Sequence, residues 1–235
     1  MIGRSGSTLK DKNVLPVLGR PLLHYPAMAA RSSKYIGRYF FSSDCPRILH
    51  AASEIGYETI LRPDELAGPN AQSSDAVFHA LGIIEKHEKV DYLVVQHANV
   101  GTITSSMIDE CLKILFRNDS LSAVVPSHHN NEYHPYRASF VGVDGILNAL
   151  SEGMGNVSAN RQSLPECVFF DHSFWAISMK HVRENGLGKG PWPCMGTRIQ
   201  PYVGEGCFDV HCEEDLWRTE QWLKAAIAKG EVNIL

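Results

Sequence analysis

The first half of the chain alternates short apolar runs with longer amphipathic stretches. The apolar runs predict buried strands at residues 38–44, 57–62, 90–97 and 121–127. The stretches between them have helical periodicity and predict helices at Leu22–Arg31, Arg47–Ile55, Ser73–His87 and Met107–Phe116. This alternation indicates an α/β fold with a largely parallel, doubly wound sheet and helices on both faces. Ligands of such sheets bind beyond the carboxyl ends of the strands.

The pattern changes in the second half of the chain. The segments YHPYRASFVG (133–142) and CVFFDHSFWAIS (167–178) are predicted strands, and residues 148–165 between them are rich in Gly, Asn and Ser with little periodicity. We interpret this region either as an excursion from the domain or as an arm that contacts another subunit. Residues 204–230 predict a short strand and then an amphipathic helix, with acidic residues in its first turn and Gly230 after its end.

Composition restricts the class of protein. The chain has 235 residues, 44% hydrophobic and 20% charged, which suits one compact domain. A net charge of −4 gives no basic field for nucleic acid. No apolar run reaches the roughly 18 residues of a membrane span, and no signal-peptide pattern is present. Because the six cysteines are scattered singly, we expect reduced thiols and a cytoplasmic location.

The stretch GRSGSTLKDKNVLPVLGRPLL (3–23) combines small residues with basic ones. Gly and Ser between a strand and a helix leave backbone N–H groups free to bind an anion, and Gly3 and Gly6 allow close approach. Arg4 can bind phosphate oxygens with its guanidinium, and Lys12 adds a point charge. The spacing is not that of a Walker loop. We therefore predict a phosphate-binding loop of another kind, with an exposed basic tail as the alternative.

A loop of this kind is expected to follow the first strand of a parallel sheet. Only Met1 and Ile2 precede Gly3, and two residues are too few for such a strand. Either the strand is truncated or the chain begins downstream of it, and the sequence leaves both open.

The opening loop resembles that of the CMP-acylneuraminate (CMP-sialic acid) synthetases, which are cytidylyltransferases. Their loop reads roughly A-R-x-x-S-K-x-x-x-x-K-N and is followed by an apolar turn and G-x-P-L. Here residues 3–7, Lys12, Asn13 and the segment 19–22 match it. The loop is one residue shorter than the family pattern, and Thr8 stands where Lys is usual.

Further segments resemble motifs of the same family, in the same order. FFSSD (40–44) is similar to V-S-T-D, and LRPDELAGPNAQSSDAVFHAL (61–81) is similar to R-P-x-E-L-A-x-D-x-A-S-S. HPYRASF (134–140) resembles H-H-P with its following strand, and NRQSLPECVFF (160–170) resembles R-Q-x-L-P-x-x-F. FDVHCEEDLWRTE (208–220) resembles I-D-I-D-x-x-x-D-W. Ordered motifs along most of the chain are much more specific than any one alone.

The resemblance implies a single domain over residues 1–235 with a Rossmann-like α/β nucleotidyltransferase fold. It implies transfer of CMP from CTP to a 2-keto-3-deoxy sugar acid of the sialic, legionaminic or pseudaminic type, with release of pyrophosphate. It further implies a homodimer in which an extension at about 130–175 completes the partner's site. The implied cofactor is Mg²⁺, a hard cation that prefers oxygen ligands.

The resemblance also implies residue roles, because the sugar hydroxyl attacks the α-phosphorus of CTP and catalysis depends on positioning and charge neutralisation. The implied catalytic residues are Arg4, Lys12 and Asp209. The residues implied to bind the nucleotide are Gly6, Ser7, Asn13, Arg62 and Ser74. Those implied to bind the sugar acid are Gln96, His97, Asn99, Arg161, Gln162 and His172, with residues 161–162 supplied by the neighbouring subunit. The implied metal ligands are Asp209 and His211.

Several of these residues have a plain structural alternative that the sequence leaves open. Arg62 can cap a strand end, Ser74 can be an ordinary helix residue, and Arg161 can simply be solvated. Asp209 can be a carboxylate that precedes a helix. The histidines of SHHNNEYHPY (127–136) suggest a transition-metal site, but their spacing is not that of a zinc motif.

Departures from the family pattern cluster on the sugar and metal sides. His211 replaces the second metal carboxylate, and an imidazole is a poorer Mg²⁺ ligand. The family's Q-P-T-S-P-L-R-T becomes QHANVGT (96–102), and its P-N-G becomes DHS (171–173). Two explanations compete: an enzyme for an unusual sugar acid, or a nucleotide-binding relative with weakened catalysis and a regulatory or assembly role. We favour the first because the three implied catalytic residues are present. The absence of an Asp-x-Asp pair argues against a glycosyltransferase.

Overall fold

Strands and helices alternate through residues 1–6, 9–153 and 156–232, which are the residues that the computed structural model describes. The strands are β1 (Pro16–Val17), β2 (Arg20–Pro21), β3 (Phe40–Ser43), β4 (Glu58–Leu61), β5 (Tyr92–Gln96), β6 (Ala123–His129), β7 (Ser139–Val141), β8 (Leu147–Ala149), β9 (Val168–Phe170), β10 (Phe174–Ser178) and β11 (Ile199–Val203). The helices are α1 (His24–Arg31), α2 (Pro46–Ser53), α3 (Ser73–Ile84), α4 (Ser105–Arg117), α5 (Met179–Asn185) and α6 (Glu213–Ala228).

One sheet has the order β5–β10–β6–β11, with β9 paired to the end of β6, and a two-stranded sheet of β3 and β4 lies beside β5. Ile2 lies between β3 and β5 and bridges them, in parallel with Ser42 on one side and His97 on the other. β4 is parallel to β3 and β11 is parallel to β6, whereas β10 is antiparallel to both of its neighbours. β3, β4, β5, β6 and β11 therefore point in one direction, and the predicted mostly parallel α/β sheet is confirmed.

Helices cover both faces of this sheet. On one face α1 and α4 pack over Val124 and Ala176, and on the other α3 and α5 pack over Val125 and Trp175. Consecutive residues of β6 and β10 are therefore buried on opposite faces, which explains why these strands are continuous apolar runs in the sequence. No helix within the described ranges is long and apolar enough to cross a membrane.

The predicted elements of the first half form within a few residues of their predicted bounds, as α1 to α4 and β3 to β6 show. The short strand predicted within 204–212 is wrong. The backbone of this segment is bound elsewhere, since the Phe208 N–H donates to Thr102 Oγ1 at 2.9 Å and the Val210 N–H donates to the carbonyl of Asn99 at 3.2 Å. The sequence also failed to predict β11 and α5.

The region predicted as an arm contains the hairpin of β7 and β8. Phe140, Val141, Val143 and Leu147 are large apolar residues of this hairpin, and all of them are exposed. Val141 lies opposite Leu147 in the antiparallel register, so these two side chains share one face. The hairpin therefore presents apolar surface that the described part of the chain leaves uncovered.

All six cysteines lie in the described ranges, and each of them is free. Cys111 is buried in the core, and burial raises the pKa of its thiol to about 12. A thiol with so high a pKa is protonated at neutral pH and serves as a small apolar side chain.

Candidate active site

A cleft of about 530 Å³ opens at the carboxyl edge of the parallel strands. The opening loop, the ends of β4 and β5 and the segment before α6 all contribute to its lining. This is where the topology of an open α/β sheet leaves room for a ligand. The predicted site residues that line the cleft are Arg4, Lys12, Asn13, Arg62, His97, Asn99, His172, Asp209 and His211.

The opening loop is anchored by its own polar residues. The Ser5 N–H donates to Asp44 Oδ1 at 2.9 Å, and the Ser5 hydroxyl donates to the second oxygen of the same carboxylate. Burial raises the pKa of Asp44, but the two hydrogen bonds from Ser5, together with a backbone hydrogen bond and the charge of Arg62, leave the pKa below its usual value. Asn13 donates its side-chain amide to the carbonyl of Arg4 at 3.0 Å. The loop is therefore held at the cleft rather than released into solvent, and the basic-tail alternative fails.

Two glycines allow the backbone conformation of this loop. A Cβ on Gly3 would lie 2.8 Å from the Cβ of Ala98, so any side chain here would force the loop away from the sheet. Gly6 has φ +64, a left-handed conformation that glycine adopts without strain. Ser7, which the sequence predicted as a nucleotide ligand, lies outside the described residues.

Lys12 and Arg4 direct positive charge to the cleft. Lys12 Nζ donates to the carbonyl of Val210 at 2.8 Å, which connects the opening loop to the segment before α6. Burial lowers the pKa of Lys12, and the neighbouring Asp209 carboxylate opposes that change. The Arg4 guanidinium donates to the carbonyl of Ala67 at 3.1 Å and also to that of Gly68.

Arg62 is the third basic residue of the lining, and it is buried. Its guanidinium donates to the Ser42 hydroxyl at 3.2 Å and to the Ser42 carbonyl at 2.9 Å, which fixes it against the end of β3. Within the described residues, three basic side chains and one carboxylate, Asp209, line the cleft. The cleft therefore carries a positive field that suits a polyphosphate.

Asp209 supplies the negative charge of the lining, next to the residue that Lys12 contacts. Asn99 donates its side-chain amide to Asp209 Oδ1, and His211 Nε2 lies 3.1 Å from Asp209 Oδ2. The same Asn99 amide lies 3.3 Å from the carbonyl of Val210. The segment that follows β5 and the segment before α6 therefore meet through Asn99, and together they present one carboxylate to the cleft.

Two histidines and one tryptophan, His97, His172 and Trp192, form the remaining wall. The His97 ring packs edge-on against Trp175 at 5.0 Å, and the His172 ring packs against Trp192 at 4.8 Å. His97 Nε2 has neither solvent contact nor a hydrogen-bond partner among the described residues. Burial lowers the pKa of His97 to about 3, with a smaller contribution from His172, and burial also lowers the pKa of His172. Both rings are therefore neutral at pH 7, and this wall is polarisable but uncharged.

The donor set can be tested against Mg²⁺. In phosphoryl-transfer sites this ion is held by one or two carboxylates together with waters and substrate phosphates. Asp209 fits that role. His211 fits it poorly, because imidazole suits softer metals. Among the described residues no group of three or more His, Cys, Asp or Glu side chains could hold a metal by itself, and this includes His128, His129 and His134.

Five predicted residues that the structure describes lie outside the lining of the cleft: Gly6, Ser74, Gln96, Arg161 and Gln162. Ser74 is buried and its hydroxyl donates to Cys194 Sγ at 3.3 Å. Gln96 is also buried, and its amide donates to the carbonyl of Pro26 in α1 at 2.7 Å. Arg161 and Gln162 are exposed on a 3₁₀ turn. Within one chain, Ser74 and Gln96 therefore bind other elements, and residues 161–162 remain available to a neighbouring subunit.

The lining also contains residues that the sequence analysis missed. Gln72 and Ser73 border the cleft where α3 begins, directly before the predicted Ser74. Trp192 borders it from the Gly- and Pro-rich segment before β11. The R-P-x-E-L-A resemblance pointed to the first pair within one residue. No pattern in the sequence pointed to Trp192, because that segment has no periodicity.

Comparisons with known proteins agree with this geometry. A family model described as Cytidylyltransferase matches residues 2–133, more than half of the chain. The N-acylneuraminate cytidylyltransferase of Escherichia coli O18:K1:H7 (strain RS218 / NMEC) is 36% identical over 86 residues. That match covers 36% of this chain and 20% of the relative, so the chain spans only about a fifth of that relative's length.

Solved structures share the fold over nearly the whole chain. CMP:2-keto-3-deoxy-manno-octonic acid synthetase complexed with CTP has a TM-score of 0.69 and 13% identity, covering 95% of this chain and 96% of that one. The 4-diphosphocytidyl-2C-methyl-D-erythritol synthase of Anaerococcus prevotii DSM 20548 has a TM-score of 0.60 and 10% identity, with the same coverage. The nucleotidyltransferase fold and the family resemblance are both confirmed, and the chain belongs to the cytidylyltransferase family.

Proposed function

We propose that the protein transfers CMP from CTP to a 2-keto-3-deoxy sugar acid of the nonulosonic type and releases pyrophosphate. One observation carries the proposal: Lys12 and Asp209 line the same cleft, with Lys12 Nζ 2.8 Å from the carbonyl of Val210 beside Asp209. A positive loop close to a single carboxylate in one cleft suits a triphosphate and its accompanying cation.

At the nucleotide end, the chain's own residues hold and neutralise the triphosphate. Arg4 and Lys12 bind phosphate oxygens, and the anchored loop directs its backbone N–H groups to the same anion. Arg62 and Asn13 form the base of this end of the cleft, where their hydrogen bonds to Ser42 and Arg4 keep them fixed. Preorganised charge of this kind stabilises the transition state without reorganisation during the reaction.

At the other end, the neutral wall of His97, His172 and Trp192 receives the sugar acid. The hydroxyl oxygen of the sugar acid attacks the α-phosphorus, the bond from that phosphorus to the bridging oxygen breaks, and pyrophosphate leaves with the electron pair. The hydroxyl proton passes to water. Asn99 orients Asp209 at this end through its amide. Neutral imidazoles can donate and accept hydrogen bonds with sugar hydroxyls without adding charge.

Mg²⁺ belongs to the proposal, with Asp209 as its protein ligand. When bound, it supplies positive charge that offsets the charge developing on the phosphates. His211 lies beside Asp209 and is expected to restrict the carboxylate rather than to bind the cation. His211 in place of a second carboxylate is therefore a difference from the family pattern at the proposed metal site.

The proposal predicts selective stabilisation by CTP. At saturating concentration with Mg²⁺, CTP is expected to raise the melting temperature by about 5–10 °C, and UTP, GTP and ATP by much less. Pyrophosphate release is then measured with a panel of nonulosonic and related 2-keto-3-deoxy acids. At least one acid is expected to support turnover. Equal stabilisation by all four nucleotides would contradict the assignment of CTP.

A second candidate function is supported by the contacts that Asp209 makes within the protein. Both oxygens of this carboxylate already contact neighbours, Asn99 and His211, which favours a nucleotide-binding relative with weakened catalysis and a regulatory or assembly role. The two functions differ in one result. Strong stabilisation by CTP without pyrophosphate release on any acid, with either Mg²⁺ or Mn²⁺, would select the second.

The proposal includes a homodimer in which the region 130–175 reaches the partner's cleft. Support comes from the exposed apolar residues of the β7–β8 hairpin and from Arg161 and Gln162, which lie outside the cleft of their own chain. An apolar surface of this kind is typical of a subunit contact. A second copy is therefore the proposed occupant of the hairpin surface.

The dimer is tested with Val141→Asp. Burying an unpaired carboxylate costs several kcal/mol, so the dissociation constant of the dimer is expected to rise by about 100-fold or more. Light scattering after size exclusion measures the mass, and turnover is expected to fall with it. Asn148→Asp is the matched control, since it adds the same charge to the hairpin where the side chain is already polar. A Val141→Asp protein that keeps the wild-type mass and activity would contradict the proposed contact.

A further inference from the structure

The turn that connects β9 to β10 brings a histidine to the cleft. Both strands pair antiparallel with β6, where Phe170 lies opposite Ser127 and Ala176 lies opposite Val124. Two residues of β6 therefore lie opposite five residues of the other strand, so the turn is a bulge along β6. Bulges occur beside active sites, where they re-aim a side chain. The ring that this bulge presents to the cleft is that of His172.

His172 has a backbone conformation that is unfavourable for a residue with a side chain. Its φ is +53, in the left-handed region, where a Cβ causes strain. Its ring lies 4.8 Å from the ring of Trp192 and 6.5 Å from that of His97, as part of the cleft wall. A strained conformation persists only where the surrounding structure holds it. The residues on either side of His172 therefore have to anchor the turn.

Asp171 supplies the anchor on one side of the turn. It is buried, and its N–H donates to the carbonyl of Pro126 at 2.9 Å. His128 Nδ1 lies 2.5 Å from Asp171 Oδ1, and because a carboxylate accepts hydrogen bonds, the ring N–H is the donor. On the other side of the turn, the carbonyl of Ser173 accepts from the His97 N–H at 3.1 Å. The strained residue is therefore held between two anchors, and the first of them includes a buried carboxylate.

The same carboxylate lies against the segment that carries Asp209. Burial raises the pKa of the Cys207 thiol to about 12, and the nearby charge of Asp171 adds to this effect. The His128 ring lies next to Gly206, where an added Cβ would contact the ring at 3.4 Å. Asp171 and His128 therefore adjoin both the turn and the segment before α6, and they are placed to hold these two parts of the cleft together.

We propose that Asp171, oriented by His128, is a positioning residue for recognition of the sugar acid. It acts through His172, because it holds the left-handed turn that keeps this ring in the cleft wall. The inference rests on the proposed function, which assigns that wall to the sugar acid. Asp171 itself does not line the cleft. The family pattern has proline at this position, so the anchor is a feature of this chain.

The first test compares Asp171→Ala with Asp171→Asn. Alanine is expected to lower kcat/KM for the acid that supports turnover by about 10- to 100-fold, mostly through a higher KM. The rise in melting temperature with CTP is expected to stay the same, because Asp171 does not contact the nucleotide end. Asparagine can still accept the hydrogen bond from His128, so it is expected to recover most of the loss.

Asp109→Ala is the matched control for loss of a buried carboxylate. Asp109 and Asp171 are both 6% exposed, and Asp109 accepts from the Ser33 hydroxyl at 2.6 Å, outside the cleft. The control is expected to lose stability and to keep its kcat/KM. An equal loss of kcat/KM in Asp171→Ala and Asp109→Ala would overturn the inference, because the loss would then follow stability alone.

A double-mutant cycle tests whether Asp171 acts through His172. Asparagine tolerates the left-handed conformation, so His172→Asn removes the ring and keeps the turn. In the His172→Asn protein, adding Asp171→Ala is expected to lower kcat/KM by less than about 3-fold more. If the two single effects multiply in the double variant, Asp171 acts independently of His172 and the inference is wrong.

A measurement without turnover separates this inference from the proposed function. The NMR signal of the His172 Cε1–Hε1 group is assigned as the one that His172→Asn lacks, and the Trp192 ring is expected to displace it. Asp171→Ala is expected to abolish the displacement, whereas Asp171→Asn and Asp109→Ala retain it. An unchanged signal in Asp171→Ala would overturn the inference even in an active enzyme. If the wild type turns over no acid, the proposed function fails, and a changed signal would still support the positioning of His172 by Asp171.

Discussion

Lys12→Met is expected to lower kcat/KM for CTP by about 10²- to 10³-fold, the usual effect of removing one charge-stabilising donor from an active site. The methionine keeps the apolar stem of Lys12 and removes only the ammonium group. The loss falls on transition-state charge, so kcat falls more than the affinity for CTP. Lys12→Arg keeps the charge and is expected to recover part of the activity.

Lys12→Met also removes a structural contact, and the resulting loss of stability can be measured separately from the loss of activity. Lys12 Nζ donates to the carbonyl of Val210, so its loss is expected to lower the free energy of unfolding by about 1–3 kcal/mol. Assays are therefore run well below the melting temperature of the variant. Lys10→Met is the matched control, because Lys10 lies on the same loop but is exposed and outside the lining. If Lys12→Met and Lys10→Met have the same kcat/KM, the anion-binding role of the loop is wrong.

Much of the fold was predictable because periodicity reports burial. β3, β5 and β6 bury part of a continuous apolar run and the helices between the strands bury one face, and these patterns are local. β4 forms where it was predicted but buries only Ile60. The direction of β10 was not predictable. Its sequence is apolar on both faces, as a parallel strand would be, and only its pairing with β5 and β6 makes it antiparallel.

The positions of several candidate site residues were also predictable from the sequence. Arg4, Lys12 and Asp209 line one cleft although nearly 200 positions separate the loop from Asp209, because ordered motifs on a parallel sheet converge at its carboxyl edge. Gln96 shows where such reasoning ends. It stands at the carboxyl end of β5 as predicted, but its amide donates to Pro26 in α1. Side-chain direction at a strand end depends on register, which the sequence does not display.

The predicted strand around Asp209 failed for a related reason. The segment has an apolar pattern, but its backbone is bound by Thr102 and Asn99 in place of a strand partner. This places Asp209 on a loop that Asn99 and Lys12 hold from two sides. The altered sequence QHANVGT that begins at the end of β5 is therefore part of the support of Asp209, because Asn99 and Thr102 contact residues 208–210.

Asp209→Asn is expected to lower kcat by about 10²- to 10³-fold and to raise the Mg²⁺ concentration for half-maximal activity by at least about 10-fold. The amide keeps the size of the carboxylate and can still accept the hydrogen bond from Asn99, so the loop stays in place. Without Mg²⁺, binding of CTP is expected to stay unchanged or become tighter. The substitution removes the single carboxylate among the described lining residues and leaves Arg4, Lys12 and Arg62.

Opposite effects on turnover and on metal-free binding distinguish a metal ligand from a merely structural carboxylate. A structural role predicts that both decline together, in step with the melting temperature. Glu213→Gln is the matched control, since it removes an acidic charge from the first turn of α6 outside the cleft. Removing Asp209 also removes the carboxylate that raises the pKa of Lys12, so the pKa of Lys12 falls further. As the pH is raised, the variant is therefore expected to lose activity at a lower pH than the wild type does, because Lys12 loses its charge earlier. An unchanged Mg²⁺ dependence with wild-type kcat would show that the cation is held elsewhere.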